Sequence, residues 1–273
     1  MATARESGNG ALRLAEAAGQ GTLRGIEMIG YGATLFGQAV YWLFLGRRHG
    51  QVVRAAPVFR EMMQLGIGAI PIITILTGAI GIVLAMQGIT SLEAFGAEHQ
   101  VVIMVALSVT REFGPLITGI IVAGRSGSAL AARLGTMVIN NEVDALRVMG
   151  INPVRFLVVP SLVAMMVMVP VLTIWADLVS LYGAGLYITS ELGTTMTVYV
   201  DDTLSYLTVE DVMHGVNKSI IFAALITMIG VLNGYSVKGG AEGVGRVTTS
   251  SVVQAISAIV LTDLVFVFAA TRS

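Results

Sequence analysis

MMQLGIGAIPIITILTGAIGIVLAMQGITSL, Met62 to Leu92, runs for 31 residues without a charge and is bounded by Glu61 and Glu93. A helix needs about 20 apolar residues to cross the roughly 30 Å hydrocarbon core of a bilayer, so this stretch reads as a membrane span. Pro71 predicts a kink or a late start near its beginning. Four more spans follow. Gln100 to Thr110 and Phe113 to Gly124 form the second, interrupted only by Arg111 and Glu112. Phe156 to Ser190 forms the third, with Asp177 as its single charge, and Ser219 to Val237 the fourth. Val247 to Thr271 forms the fifth, with Asp263 near its far end. Composition agrees: 12% of the residues are charged, 55% are hydrophobic and the mean hydropathy is +0.82, whereas a water-soluble domain carries about 25% charge. The fold class is an all-α membrane protein with five transmembrane helices.

Several functions are excluded on composition. A net charge of −1 leaves no basic surplus to neutralise phosphates, so no nucleic-acid partner is expected. The absence of cysteine removes disulfides, thiol nucleophiles and thiolate metal sites together. His49, His99 and His214 lie far apart, so no metal site is expected either. The run from Gly215 to Ser219, GVNKS, imitates the end of a phosphate-binding loop, but that motif needs Gly directly before the Lys and Asn217 stands there. The chain is therefore not expected to hydrolyse ATP, and no catalytic residue or cofactor is assigned to it. GGAEGVG, Gly239 to Gly245, lacks dinucleotide-binding spacing and reads as a tight turn.

Basic residues are retained on the cytoplasmic side, which sets the orientation. The connection after the second span holds Arg125, Arg133, Arg147 and Arg155, and the one after the fourth holds Lys238 and Arg246. The loops Glu93 to Gln100 and Glu191 to Asn217 carry acids and no Lys or Arg. The first pair is expected inside and the second outside, which puts the N-terminus inside and the C-terminus outside. Met28 to Gly46 is also uncharged, but it is flanked by Arg24 and by Arg47, Arg48, Arg54 and Arg60. Crossing would carry a basic flank outward, so this stretch reads as a membrane-embedded interfacial helix with Tyr41 and Trp42 at headgroup depth. Residues 1–20 read as a frayed tail and 21–273 as one domain: an interfacial region over 21–60, then a bundle over 61–273. No cleavable signal peptide is expected.

Charges at membrane depth cost several kcal/mol unless paired or facing water. Arg111 and Glu112 are therefore either a polar point on a substrate path or a clamp to other helices. Asp177 and Asp263 stand in the same position, unless they sit wet at span ends. Lys218 opens the fourth span and can snorkel to the interface. The cytoplasmic stretch GTMVINNEVDALRVMGINP, Gly135 to Pro153, places Ile139, Val143, Leu146 and Met149 on one helical face and Asn140, Asp144 and Arg147 on the other. Gly150 ends that helix and Asn152-Pro153 returns the chain to the membrane. Such a helix can dock into a groove on a soluble partner or lie on lipid.

REFGPLITGIIVAGRSGSALAARLGT (Arg111 to Thr136), EVDALRVMGINPVRFLVVPS (Glu142 to Ser161) and NGYSVKGGAEGVGRVTTSSVV (Asn233 to Val253) resemble the MlaE family of permeases, over about residues 60–268. The resemblance implies the membrane subunit of an MCE-associated ABC transporter for phospholipids in a bacterial inner membrane. It also implies a homodimer with a lipid-holding cavity between the subunits, an ATPase dimer below that holds the ATP and Mg, and a periplasmic ring of MCE-domain proteins. Glu142, Asp144, Leu146, Arg147 and Met149 would then form a coupling helix, within about 136–150, against the ATPase. Arg111, Glu112, Lys218 and Asp263 would lie near the lipid path, with Ile82 and Met86 of the first span lining the cavity. An ion-coupled secondary transporter and a non-transporting membrane scaffold are the alternative classes.

Overall fold

The computed structural model describes residues 30, 32–43 and 55–270, and no strand occurs among them. Among the described residues the helices, in chain order, are α1 (32–43), α2 (Ala55–Glu93), α3 (Glu98–Ile139), α4 (Glu142–Val148), α5 (Val154–Leu192), α6 (Met196–Tyr206), α7 (Val209–Tyr235) and α8 (Gly240–Ala270). Five of them, α2, α3, α5, α7 and α8, are long and apolar enough to cross a bilayer, as the uncharged runs predict. Their ends correct the sequence reading. Helix α3 continues through Arg125 and Arg133 to Ile139, and α7 starts at Val209, well before Ser219. A charge does not stop a helix that has a partner for it or has already left the lipid.

Proline shapes three of the spans. Pro71, Pro115 and Pro160 each stand in the first turn of a regular α-helical stretch, and each follows a widened π-turn: Met62–Gly66, Val109–Phe113 and Val154–Val158. Proline has no N–H for the carbonyl one turn back, and its ring crowds that carbonyl. A wider turn carries the chain past the obstacle without breaking the helix. Near Pro71 the adjustment is completed by a 3-10 turn, Ile67–Ala69. The carbonyl of Leu65 in the first widened turn accepts a 2.6 Å hydrogen bond from Ser126 Oγ, which itself lies in a fourth π-turn, Ala123–Gly127.

Three buried layers stack along the bundle. Ala85 and Ile89 of α2 meet Val101, Val105 and Val109 of α3 and Ala184 and Ile188 of α5 at the α6 end. A middle layer joins Ile73, Val122, Met165, Leu172, Phe222 and Ile259. The layer at the α4 end holds Leu130, Leu134, Val158, Leu162 and Val231. Lipid is as apolar as these side chains, so close fit and polar contacts, rather than water exclusion, hold the spans together. The most extensive helix pair is α2 with α5. There the backbones nearly touch: a methyl group on Gly81 would run into the Ser180 carbonyl, and one on Gly183 would lie 2.6 Å from the Gly78 oxygen.

Helix α1 buries Leu35 and Ala39 against the layer at the α4 end, with Trp42 packed beside them. Trp42 thus packs on protein, whereas Tyr41 is 43% exposed. Residues 1–20, the rest of the Met28 to Gly46 stretch beyond 30 and 32–43, and the flanks Arg47, Arg48 and Arg54 lie outside the described residues. At the same end Arg133 grips Glu61 with two parallel bonds of 2.7 and 2.8 Å, joining α3 to α2. At the other end α6 is pinned by Tyr199, whose hydroxyl donates to the Leu181 carbonyl at 2.9 Å. Burial raises the Tyr199 phenol pKa above its ordinary value.

Candidate functional site

The sequence Arg111-Glu112-Phe113-Gly114-Pro115 builds its own irregularity. Pro115 cannot donate to the turn before it, so Val109–Phe113 opens into a π-turn and the Gly114 N–H bonds the Val109 carbonyl instead. Arg111 and Glu112 sit in that widened turn, at the level of the buried layer at the α6 end. Helix α7 comes against it at Gly215, where a methyl group would strike the Thr110 carbonyl. Three residues further along the same face stands Lys218. Its side chain is completely buried, with Nζ 2.6 Å from Glu112 Oε2 and 3.0 Å from Asp263 Oδ1 of α8. One ammonium thus ties the second, fourth and fifth spans. The expectation that Lys218 snorkels at the membrane surface is corrected: Gly215 lets α7 in so close that the lysine is enclosed by carboxylates rather than free to reach headgroups.

Arg111 is held separately. Its Nε and Nη2 both engage Asp211 Oδ1. The other carboxylate oxygen of Asp211 accepts from the Thr208 N–H at 2.9 Å and the Thr208 hydroxyl at 2.7 Å. This is a capping box at the start of α7, so Asp211 fixes both the helix end and the arginine. Asp211 is 3% exposed while the Arg111 side chain is 52% exposed, which leaves the guanidinium's far edge open. Asp211 and Gly215 were not read as site residues from the sequence. The signals were present: Thr208-x-x-Asp211 before an apolar run is a capping pattern, and Asp211, Gly215, Lys218 and Phe222 fall on one buried helical face.

Asp177 is buried at the middle of α5 rather than wet at a span end. Its carboxylate lies against the Cα of Gly114, and its Oδ1 has no hydrogen-bond partner among the described residues. Ile82 and Met86, at 37% and 46% exposure, lie on an open face of α2 rather than in the ion cluster. That face and the α8 face carrying Leu261, Leu264, Val265 and Phe268 are the least covered of the spans: 22% and 17% of their most apolar windows are buried, against 50–61% in the others. Between α1, α7 and α8 opens an apolar cavity of about 760 Å³, lined by Phe36, Ile220, Ile221, Leu225 and Met228 among others. Gln254 is the polar side chain on its wall, and it is already engaged with Asn233 at 2.8 Å and Ser250 at 3.0 Å.

At the opposite end, α4 confirms the turn chemistry. Asn141, φ 59°, begins it, and Gly150, φ 74°, ends it. Asn152 Oδ1 then accepts from the Val154 N–H at 2.9 Å and starts α5. Glu142, Asp144, Arg147 and Met149 are exposed, with Asp144 and Arg147 paired at 3.1 Å. Leu146 is corrected: with Val143 it is buried in the protein's own fold, 8% and 4% exposed, and is closed to a partner. The single helix expected over about 136–150, with one face from Ile139 to Met149, is corrected: Ile139 ends α3, the left-handed Asn141 separates it from α4, and α4 ends at Val148, which leaves Met149 65% exposed. The described residues hold no cluster of His, Asp and Glu suited to a metal.

Five helices long and apolar enough to span a membrane, joined through a buried ion junction and carrying a short polar helix at the far end, describe a multi-pass membrane protein. The chain belongs to the MlaE permease family, whose profile, Permease MlaE, matches residues 58–269. It is 36% identical over 214 residues to the "Probable ABC transporter permease protein" of Rickettsia typhi, covering 77% of this chain and 83% of the relative. A Synechocystis protein of the same description is 33% identical over 230 residues, 84% of this chain and 85% of that protein. The "Intermembrane phospholipid transport system permease protein MlaE" of Haemophilus influenzae is 32% identical over 209 residues, 76% and 79% of the two chains.

Proposed function

We propose that this chain is the permease subunit of an ABC transporter that moves phospholipids between the inner and outer membranes of a bacterial envelope, and that it resides in the inner membrane. The observation that carries the reading is the ion junction: an exposed arginine fork beside a buried Lys218 bridge, set among otherwise apolar spans. A phospholipid needs both a polar place for its phosphate and an apolar place for its chains. A planar guanidinium suits a phosphate, and the cavity between α1, α7 and α8, within the ~300–1,000 Å³ range of ligand sites, offers apolar walls for an acyl chain. The name of the Haemophilus relative points to the same substrate.

The open faces of α2 and α8 suit a second copy of the chain, giving a homodimer with Ile82 and Met86 toward the shared cavity. ATP and Mg belong to a separate ATPase dimer, which docks on α4 through Glu142, Asp144, Arg147, Val148 and Met149. An MCE-domain ring receives or delivers lipid at the α6 end. The test is copurification from the native membrane, with mass spectrometry of the bound lipid and of the partners. Phospholipid retained together with an ATPase and an MCE protein supports the reading. A purified dimer free of lipid, or transport that follows an ion gradient with no ATPase present, overturns it.

A further inference from the structure

Helix α3 carries three arginines, and two of them have carboxylate partners: Arg111 meets Asp211 and Arg133 meets Glu61. Arg125, between them, meets no carboxylate among the described residues, and its one hydrogen bond there is a long one, from Nη1 to the Gln64 carbonyl at 3.4 Å. Its guanidinium is nevertheless seated. Arg125 lies in the π-turn Ala123–Gly127, which Ser126 fixes against α2 through the Leu65 carbonyl. Gly68 of α2 then makes room: a methyl group on it would strike Arg125 Nη2 and lie 3.0 Å from Cζ and 3.2 Å from Nη1. Nε and Nη2 donate to none of the described residues, and Arg125 is exposed.

This seat lies below the membrane surface. Arg125 stands eight positions before Arg133 on α3, about 12 Å along a helix, and Gly68 stands seven positions beyond Glu61 on α2, about 10 Å. Both measures put the guanidinium well deeper than the Arg133–Glu61 pair at the α4 end. A base that snorkels reaches toward the surface, whereas this one lies across α2 at its own level. A charge at that depth is costly without a counter-charge, and the described residues supply none. The neighbours narrow the choice of ligand: Met63 and Ile67, beside Gln64 and Gly68, are 60% and 44% exposed, so the open donors adjoin apolar surface that suits an amphiphile and not a free ion. Resting on the phospholipid reading above, we propose that Arg125 is a second headgroup site, which takes the phosphodiester of a lipid from the leaflet at the α4 end. The edge formed by Nε and Nη2 matches two phosphate oxygens, and the acyl chains lie along the open face of α2. Arg111 stands fourteen positions away on the same helix, about 21 Å, so one span carries a phosphate contact toward each side of the bilayer.

The test counts bound phospholipids by native mass spectrometry on the full-length protein purified in detergent. Arg125→Gln should lose one phospholipid per chain. Gly68→Ala should lose the same one, because its methyl displaces the guanidinium while the charge stays, and it meets the far end of a flexible side chain rather than backbone; it decides the matter if Arg125→Gln fails to fold. Excess inorganic phosphate should leave the wild-type count unchanged. An unchanged count in the folded variants overturns the site and leaves the phospholipid reading standing. Displacement of the lipid by inorganic phosphate, which marks a free-anion site, overturns it too, as does loss of lipid only where the copies come apart, which marks a contact between copies. A wild type that retains no phospholipid overturns the site together with the reading it rests on.

Discussion

Replacing Lys218 with Met removes the cation that Glu112 and Asp263 share and leaves the side-chain volume nearly unchanged. Deleting one partner of a buried ion pair costs about 3–5 kcal/mol, because the remaining charge stays buried without compensation. Glu112 is 35% exposed and can recover some solvation, whereas Asp263 is only 12% exposed and cannot. The lower end of the range therefore applies, about 3 kcal/mol, which for a chain of this size is roughly 6–12 °C in Tm. The triple variant Lys218→Met, Glu112→Gln, Asp263→Asn leaves no charge in the group and should recover part of that loss, the remainder being the two amides left without their former partner. The assay is the fraction of detergent-purified protein that stays monodisperse after heating, measured beside retained phospholipid. Part of the stability should return in the triple variant. A single variant that melts within about 2 °C of the wild type, or a triple variant no better than the single, would show that the three helices are not held through Lys218.

Gly81→Ala should cost about 1–3 kcal/mol or more through overpacking, since the added methyl meets the Ser180 carbonyl; thermal unfolding checks it. Ser126→Ala leaves the Leu65 carbonyl of the widened turn without its donor and should lower stability by about 1–3 kcal/mol, again read in Tm. At α4, Val148→Asp should uncouple ATP hydrolysis from lipid with Tm unchanged, whereas Leu146→Asp should lower Tm as well, because Leu146 is 8% and Val148 89% exposed. The chain has no cysteine, so Phe95→Cys and Val148→Cys, at exposed ends of the bundle, report topology cleanly. A membrane-impermeant maleimide should label Phe95→Cys in intact spheroplasts, and Val148→Cys only after permeabilisation.

The spans were legible because a long uncharged run has one low-energy solvent, and five such runs give the five spans. Their ends were not. Arg133 looked like a loop residue, yet it sits inside α3 because Glu61 of α2 meets it with two bonds, a contact that sequence order hides. The ion junction was half visible. Arg111, Glu112, Lys218 and Asp263 stand out as charges in apolar runs, but Lys218 is 106 positions from Glu112, and only the approach at Gly215 turns a snorkelling residue into a buried bridge. Asp211 seemed to be one more acid in an outer loop, since its partner Arg111 comes from another span. Leu146 and Met149 were grouped by helical period, and the short α4 does not continue far enough for that period to hold.

The central claim is that the Arg111 and Glu112 turn, locked by Asp211 and Lys218, is the headgroup site of an ATP-driven phospholipid permease. Its most direct measurement is transfer of fluorescent phosphatidylethanolamine between proteoliposomes holding the permease with its ATPase and acceptor vesicles, with and without ATP, for the wild type and for Arg111→Lys, which keeps a cation beside Asp211 and removes the planar fork. The account predicts ATP-dependent transfer in the wild type and loss of most of it in Arg111→Lys, with the variant complex still assembled and still hydrolysing ATP at its basal rate. Equal transfer by the two proteins, or transfer indifferent to ATP, would contradict it.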